Sequence, residues 1–450
     1  MNRTIAALAT PPGTGGLSVI RLSGDDAFLI ADRVFSGKIK LSDCKTHTIH
    51  YGEILSDGNL IDKVTASVFR APNSYTGENV VEFGCHGGFL LANQIISIIL
   101  LNGATAATAG EFTKRAFLNG KLDLMQVEAV ADIIHTNTVA GIHTAARQLN
   151  GNFTSSLKLL RKELLDVAGL LELELDFSDE GIELIPKWEI KSKIESAINY
   201  CNKLADTYVS SEIMRSGYFV GIVGYPNSGK STLFNRLLER DRAIVSPIPG
   251  TTRDYIEENL YINDITIRLT DTAGLRDTTD TIEIEGIKLA ESILEQSNLI
   301  LCINDIAMGS TNSDKLMEKI ATKYTNTKLL IVQNKIDMIA HNSDNNSSKL
   351  LYISAKNNIG MEELKDYVYK LAKESVERTS DILINQRHSL LLKTAAEFMK
   401  LALKSLEDNY ENEFIAMDVR KSVKILGELT GETWNEEVLE HIFSNFCIGK

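Results

Sequence analysis

One short segment limits the possible folds of this chain more than any other: residues 224–232 read Gly-Tyr-Pro-Asn-Ser-Gly-Lys-Ser-Thr. This G-x-x-x-x-G-K-S pattern lies between an apolar, strand-like run at 218–223 and a helix-like run at 233–238. In that context backbone N–H groups can surround phosphate, Lys230 can reach the outer phosphates, and the Ser231 hydroxyl can ligate Mg²⁺. The sequence therefore predicts that the chain binds a nucleoside triphosphate.

Composition restricts the remaining possibilities. With 450 residues, 44% hydrophobic and 24% charged, the chain is long enough for two to four folded domains. Its formal net charge of -13 disfavours RNA binding by overall attraction, so any RNA contact must use a local basic patch or a partner. The five cysteines form no CxxC pair, and no apolar run approaches the ~20 residues that cross a bilayer. We expect a cytoplasmic protein with no membrane partner.

Changes in residue patterning divide the chain into four segments, which predict a multidomain fold of the α/β plus all-α class. Residues 1–118 mix strand-like runs with glycine-rich turns and one apolar helix candidate at 89–101, as in a small α+β domain. Residues 119–215 and 374–450 carry apolar residues at helical spacing and predict two parts of one helical domain. Residues 216–373 alternate strands and helices, which predicts a Ras-like P-loop domain with a mainly parallel sheet, inserted into the helical domain. Its expected strands are 218–223, 265–270, 299–303, 329–332 and 350–353.

Motifs at the ends of these strands indicate which nucleotide is bound. After 265–270 comes Asp271-Thr-Ala-Gly274, whose carboxylate can hold Mg²⁺ through water and whose glycine N–H can sense the terminal phosphate. In Asn334-Lys-Ile-Asp337 the last carboxylate can accept the N1–H and the amine of guanine, a donor pair that adenine lacks. A backbone N–H of Ser354-Ala-Lys356 can bind the guanine oxygen, and a threonine of Gly250-Thr-Thr252 can complete the Mg²⁺ shell. Each motif alone could be a turn; together they predict a GTPase.

The predicted GTP contacts follow directly from these motifs. They are Asn227, Ser228, Gly229, Lys230, Ser231, Thr232, Ser246, Pro247, Ile248, Pro249, Gly250, Thr251, Thr252, Asp271, Thr272, Ala273, Gly274, Asn334, Lys335, Asp337, Ser354, Ala355 and Lys356. Lys230 is also a candidate catalytic residue, because its ammonium can stabilise charge on the transferred phosphoryl group.

Hydrolysis has to be organised without the glutamine that orients water in Ras-type enzymes, because Leu275 follows Gly274. Glu283 could position that water, although a solvated glutamate at a helix start explains it equally well. Asn227 and the oxygens of 246–251 could hold a monovalent cation in place of an arginine finger. Alternatively, Asn227 only shapes the phosphate loop.

These residues, with five further motifs, make the chain resemble the MnmE (TrmE) family of tRNA-modification GTPases over its full length. The motifs are Thr10-Pro-Pro-Gly13 with Gly15-Gly16, Asn73-Ser-Tyr-Thr-Gly-Glu78, Gly84-Cys-His-Gly-Gly88, the stretch from Gly110-Glu-Phe-Thr-Lys to Lys121-Leu-Asp-Leu, and Cys447-Ile-Gly-Lys450. The resemblance implies that the N-terminal domain dimerises and binds 5,10-methylene- or 5-formyl-tetrahydrofolate.

The resemblance also implies a role for particular residues. The folate contacts would be Arg21, Glu78, Lys121 and Lys450, although the sequence alone favours plain surface charges at Arg21 and Lys121. Potassium ligands would be Asn227, Ser246, Ile248 and Thr251; magnesium ligands would be Ser231 and Thr252; Glu283 would orient water. Cys447 becomes a candidate catalytic thiol at the folate site, since lysine at the last position and the lack of a polybasic run disfavour prenylation, but a free cysteine is often only a small hydrophobe.

The family resemblance implies a homodimer that joins a flavoprotein, MnmG (GidA), in a heterotetramer or larger complex. That complex alters carbon 5 of the wobble uridine in certain tRNAs to an aminomethyl or carboxymethylaminomethyl form, with FAD held by the partner. The chain has no G-x-G-x-x-G dinucleotide-binding fingerprint of its own, which agrees with FAD being held by the partner. Two alternatives remain: a regulatory or ribosome-assembly GTPase of the Era/Der kind, and a scaffold whose GTPase is vestigial.

Overall fold

The structure, a computed structural model, describes residues 3–176, 184–238, 256–263, 265–271, 291, 293–308, 318, 320–325, 327–338, 350–376 and 382–450. The chain divides into two compact units. The first comprises Met1–Ala131, Gln148–Ile198 and Thr394–Lys450, and the second comprises Asp132–Arg147 and Asn199–Lys393.

A seven-stranded sheet forms the N-terminal part of the first unit. Its strands are β1 (Ile5–Leu8), β2 (Ser18–Ser23), β3 (Phe35–Gly37), β4 (Thr48–Ser56), β5 (Asn59–Phe69), β6 (Val80–Cys85) and β7 (Thr105–Ala106). They lie in the order β3-β4-β5-β6-β2-β1-β7; β1 and β7 pair in parallel and the other neighbours are antiparallel. The expected α+β domain is confirmed.

The pattern of β5 explains why this sheet buries one face. Val64, Ala66 and Val68 point to the same side and are almost fully buried, whereas Lys63 and Thr65, which point to the other side, are exposed. Helices α1 (Ala27–Val34) and α2 (Phe89–Leu101) supply further side chains to the same core. The helix expected at 89–101 is α2.

The remaining helices of the described residues lie mostly in the segments where helical spacing predicts them. They are α3 (Glu111–Leu118), α4 (Leu124–His135), α5 (Val139–Leu149), α6 (Asn152–Asp176), α7 (Lys187–Ala205), α8 (Tyr208–Ser216), α9 (Lys230–Leu238), α10 (Met361–Val376), α11 (Gln386–Glu407), α12 (Asn412–Thr430) and α13 (Glu436–Ser444). In the first unit α6 packs along α12, and Leu157, Leu164 and Leu171 of α6 are buried. Among the described residues no helix is both long and apolar enough to span a membrane.

The second unit contains the predicted, mainly parallel sheet. Its strands are β8 (Tyr218–Gly224), β9 (Ile256–Ile262), β10 (Ile265–Asp271), β11 (Leu299–Asp305), β12 (Lys328–Asn334) and β13 (Leu350–Tyr352). They lie in the order β13-β12-β11-β8-β10-β9, and only the pair formed by β9 and β10 is antiparallel among these described strands. All five expected strands are present, whereas β9 was not predicted.

The parallel register brings several motifs to one edge of this sheet. Gly224, at the end of β8, lies beside Ile303 of β11, and Asp305 at the end of β11 lies beside Asn334 at the end of β12. Loops that leave the carboxyl ends of neighbouring parallel strands converge, which is where open α/β sheets bind ligands. The candidate site is at this edge.

Candidate functional site

The phosphate loop joins β8 directly to α9, which begins at Lys230. Asn227 and Gly229 both adopt positive φ, +64° and +94°, as the tight turn requires. A Cβ on Gly229 would lie 2.3 Å from Asn334 Nδ2. Glycine is therefore needed at this position for two reasons, the backbone conformation and the approach of the loop that follows β12.

Lys230 is positioned at the mouth of this loop. Its side chain is 7% exposed, and Nζ donates to the carbonyl oxygens of Gly224 at 2.9 Å and Tyr225 at 2.8 Å. The neighbouring Ser228 hydroxyl is buried and has no hydrogen-bond partner among the described residues. A cluster of donors around a glycine loop fits phosphate oxygens, which accept such bonds.

Asn334 ties three loops together. Its Nδ2 donates to Ser228 O at 2.9 Å, and its Oδ1 accepts from the backbone N–H groups of Lys335 at 2.9 Å and Ala355 at 3.1 Å. All the polar atoms of this buried amide are used to hold the phosphate loop and the 354–356 loop in register. The sequence motif thus acts as a brace between the loops.

Asp337 faces a cavity of about 400 Å³ at the centre of these loops. Its Oδ1 accepts from the hydroxyl of Ser354, which is fully buried and also accepts from Asn357 N at 3.2 Å. The carboxylate is oriented by that bond and can still accept from a ligand. The cavity is lined by Gly229, Thr232, Asn334, Lys335, Asp337, Met338, Ser354 and Lys356. The structure thus brings together the two motifs expected to read guanine and the phosphate loop.

Asp305, at the end of β11, was not predicted as a site residue. Its Oδ2 lies 2.7 Å from Lys335 Nζ, and Ala307 N donates to its Oδ1 at 3.0 Å. Burial acts to raise the pKa of Asp305, but the bonds from Lys335 and Ala307 outweigh it, so the pKa is lowered. No local pattern marks Asp305, because the ion pair depends on the pairing of β11 with β12.

Part of the predicted GTP site lies outside the described residues. This applies to Ser246, Pro247, Ile248, Pro249, Gly250, Thr251, Thr252, Thr272, Ala273, Gly274 and Glu283, and to the side chain of Asp271. The Asp271 backbone ends β10 beside Ile222 of β8. Ser231 lies exposed in the first turn of α9. The proposed magnesium, potassium and water-orienting sets therefore remain predictions.

In the first unit, the residues expected to bind folate divide into two groups. Arg21 Nε lies 2.7 Å from Glu82 Oε1, Arg21 Nη1 donates to Gly449 O at 3.4 Å, and its guanidinium carbon lies 5.5 Å from the ring centroid of Tyr75. Burial, together with the nearby charge of Arg21, lowers the pKa of the Lys450 ammonium, and Cys447 opposes this. Because Arg21 reaches the Gly449 carbonyl and Lys450 N donates to Cys447 O at 3.2 Å, Arg21 is adjacent to the segment that carries Lys450 and the exposed Cys447.

Glu78 and Lys121 have other partners. Glu78 is 8% exposed and accepts from the Ser23 hydroxyl at 2.7 Å and from Arg115 Nη1 at 3.0 Å. Lys121 Nζ donates to Pro72 O at 3.1 Å. Lys121 also borders a second cavity of about 400 Å³, lined by His47, Phe69, Asn73, Ser74, Tyr75 and Lys121. Tyr75 contacts Arg21 and borders this cavity, so it connects the two groups.

The second cavity is open to solvent and its lining is chemically mixed. Aromatic rings, amide and hydroxyl groups and one ammonium are present together. Tyr75 and Arg115, which the sequence analysis did not single out, fall within the quoted motifs Asn73–Glu78 and Gly110–Lys121. Their position inside those motifs could have marked them as candidate site residues.

Two family descriptions together match most of the chain. The family description "GTP-binding protein TrmE N-terminus" matches residues 4–121, and "MnmE helical domain" matches residues 124–447. The tRNA modification GTPase MnmE of Christiangramia forsetii is 40% identical over 472 residues, covering 100% of both chains. The protein of the same name from Flavobacterium johnsoniae is 42% identical over 463 residues, covering 99% of each.

A solved structure of Era from Aquifex aeolicus is 26% identical and covers 41% of this chain and 67% of its own, with a TM-score of 0.27. The family assignment rests instead on the relatives that match from end to end. This chain belongs to the MnmE family of tRNA modification GTPases.

Proposed function

We propose that this chain is a potassium-dependent GTPase that, with an MnmG-type flavoprotein, modifies carbon 5 of the wobble uridine in certain tRNAs. The main support for GTP binding is the cavity bounded by Gly229, Asp337 and Ser354. It is lined both by the phosphate loop and by a carboxylate that can accept from guanine. Membership of a tRNA modification GTPase family supports tRNA as the substrate of the complex.

At the phosphate end, Lys230 exchanges its bonds to Gly224 O and Tyr225 O for oxygens of the β- and γ-phosphates. Magnesium is assigned to Ser231 and Thr252, and potassium to Asn227, Ser246, Ile248 and Thr251, with two of the potassium ligands acting through backbone carbonyls. Asn227 has a positive φ, as expected for a residue at the turn of the phosphate loop. These cations supply positive charge that stabilises the transferred phosphoryl group, and Glu283 is assigned to orient the attacking water.

Tetrahydrofolate, as the 5,10-methylene or 5-formyl derivative, is assigned to the N-terminal domain. Arg21, Lys121 and Lys450 provide cations for its carboxylates. Glu78 is engaged by Ser23 and Arg115, but a carboxylate can accept about four hydrogen bonds, so it retains capacity for the pterin donors. Cys447 is a candidate thiol at the same site.

We assign the redox chemistry to FAD on the flavoprotein and the one-carbon unit to folate on this chain. The working assembly is a cytoplasmic homodimer bound to the flavoprotein in a heterotetramer or larger complex. The Era/Der-like alternative predicts GTP-controlled RNA binding without modification. The matches over 4–121 and 124–447 favour the modification enzyme, because they include the N-terminal domain to which folate is assigned.

Expression of this chain with the flavoprotein from the same source, in a bacterium that lacks its own MnmE and MnmG, tests the proposal. We expect mass spectrometry of the tRNA to show the modified wobble uridine with wild type and with the exposed-site control Lys370→Ala, but unmodified uridine with Lys230→Ala. Unmodified uridine with wild-type protein that still hydrolyses GTP would leave a GTPase and overturn the modification function.

A further inference from the structure

Arg236 lies on the same helix as the phosphate-binding lysine but belongs to neither the phosphate loop nor the guanine motifs. It occurs in α9, six residues after Lys230, and its side chain is half-buried. It does not line the cavity beside Asp337. A role for Arg236 in nucleotide binding must therefore act through other residues.

The guanidinium of Arg236 holds the backbone of the 354–356 loop. Nε donates to Ala355 O at 3.2 Å, and Nη2 donates to Lys356 O at 3.0 Å. Two hydrogen bonds from one rigid cation to consecutive carbonyls fix both the position and the orientation of that backbone. The helix that begins at Lys230 is thus joined directly to the loop at the opposite end of the cavity.

The planarity of the peptide group gives these bonds a consequence for the ligand. The Ala355–Lys356 peptide is planar and trans, so its carbonyl and its N–H point in opposite directions. Because Arg236 holds the Ala355 carbonyl, the Lys356 N–H is directed away from the guanidinium, and Lys356 lines the cavity.

The other backbone groups of this loop are also occupied. Ala355 N donates to Asn334 Oδ1 at 3.1 Å, and Asn357 N donates to the Ser354 hydroxyl at 3.2 Å. The Ala355 N–H is therefore bound by Asn334, and the Ala355 carbonyl is bound by Arg236. This arrangement leaves the N–H of Lys356 as the donor whose orientation depends most directly on Arg236.

We propose that Arg236 is a positioning residue for guanine recognition: it holds the 354–356 loop so that a backbone N–H faces the O6 acceptor of the base. The proposal rests on the guanine site described above. It assigns recognition of O6 to the loop held by Arg236, and recognition of N1–H and the amine to Asp337.

Nucleotide analogues separate these two kinds of recognition. In 6-thio-GDP a sulfur, which is a weak acceptor, replaces O6 while the donors that face Asp337 are kept. In IDP the amine is missing while O6 is kept. The experiment measures equilibrium Kd of the full-length protein for GDP, 6-thio-GDP, IDP and ADP, using wild type, Arg236→Ala, Arg236→Lys and the control Lys370→Ala.

We expect wild type and Lys370→Ala to prefer GDP to 6-thio-GDP, and Arg236→Ala to bind GDP about tenfold more weakly and to lose most of that preference. Its preference for GDP over IDP should persist, since Asp337 is unchanged. Arg236→Lys should be intermediate, because an ammonium on a flexible stem replaces the rigid fork. At saturating GTP, kcat of Arg236→Ala should stay within about twofold of wild type while KM rises.

Three results would overturn the proposal. The first is an equal loss of affinity for GDP, 6-thio-GDP and IDP in Arg236→Ala, which would indicate a general structural role. The second is a Kd for GDP that is the same in Arg236→Ala as in wild type. The third is a wild-type protein that fails to distinguish GDP from 6-thio-GDP. If Arg236→Ala does not fold, Arg236→Lys carries the same test. A wild-type protein that binds ADP as well as GDP would instead contradict the guanine site itself.

Discussion

At the scale of single residues, Asp337 carries the discrimination between guanine and other bases. Its carboxylate borders the cavity and is oriented by the Ser354 hydroxyl. A carboxylate accepts two donors, N1–H and the exocyclic amine, whereas an asparagine amide presents one acceptor and one donor group. Xanthine carries an oxygen where guanine carries the amine, so it suits the amide better.

We therefore predict that Asp337→Asn weakens GDP binding about a hundredfold and improves binding of xanthosine diphosphate. Competition binding with both nucleotides measures the change in preference. Asp366→Asn, an exposed change on α10, is the matched control and should leave both affinities as in wild type. Loss of affinity for GDP with no gain for the xanthine nucleotide would argue that Asp337 supports the fold of the loop and does not read the base.

The residues whose positions could be predicted are those that belong to a short motif beside a strand. Gly229 and Lys230 follow β8 and Asn334 ends β12, as the motifs predict, because a strand with a short motif at its end is recognisable along the sequence. Asp305 and Arg236 were missed since their partners are distant in sequence: Arg236 and Ala355 are separated by 119 residues. Such pairs depend on strand order, which one sequence does not specify.

At the scale of secondary-structure elements, the inner strands of the six-stranded sheet could be predicted from the sequence, whereas the edge strand β9 could not. Strands β8 and β11 are buried on both faces and read as nearly continuous apolar runs, and β12 contains the apolar run 329–332. Strand β9, Ile256–Ile262, includes Glu257, Glu258 and Asn259 and was missed. It lies at the edge beside β10, where polar side chains are tolerated.

Within the second unit, Arg215 at the end of α8 connects three segments just before β8. Nε and Nη2 form a two-pronged bond with Asp132 of α4 at 2.8 and 3.0 Å, and Nη1 donates to Glu212 Oε1 at 2.9 Å and Ile384 O at 3.1 Å. The side chains of Arg215 and Asp132 are only 14% and 16% exposed. Removing this cation takes two charged donors away from a poorly solvated carboxylate and one from the Ile384 carbonyl.

We predict that Arg215→Ala lowers the free energy of unfolding by about 3 kcal/mol, measured as a loss of several degrees in the thermal midpoint. The control is Arg420→Ala. Arg420 forms a similar two-pronged bond with Glu172, but the two side chains are 50% and 40% exposed, so its loss should cost less than about 1 kcal/mol. A loss for Arg420→Ala as large as that for Arg215→Ala would refute the argument from burial.

At the scale of the whole molecule, the chain combines segments that the sequence distinguishes by their patterning. The family match over 124–447 encloses the six-stranded sheet and includes the helices on both sides of it in sequence, as expected for an inserted domain. The proposed limits of the four segments, at 118, 215 and 373, stay predictions. The division into α+β, helical and α/β parts could be predicted because their hydrophobic periods differ.

The assignment of cations could not be predicted from spacing alone, because it depends on how the segments around Ser246 and Gly274 meet the phosphate loop. The central claim is nevertheless accessible to one direct measurement: steady-state GTP hydrolysis by the full-length protein in potassium and in sodium at equal ionic strength. Lys230→Ala, Asn227→Ala and Glu283→Ala would be measured in parallel with wild type.

For wild type we predict rapid hydrolysis in potassium and slow hydrolysis in sodium. Asn227→Ala should lose the potassium stimulation, Glu283→Ala should have a reduced kcat, and Lys230→Ala should show no turnover. Equal rates in both salts would remove the potassium mechanism and leave a GTPase. Normal turnover by Lys230→Ala would contradict the assignment of the site.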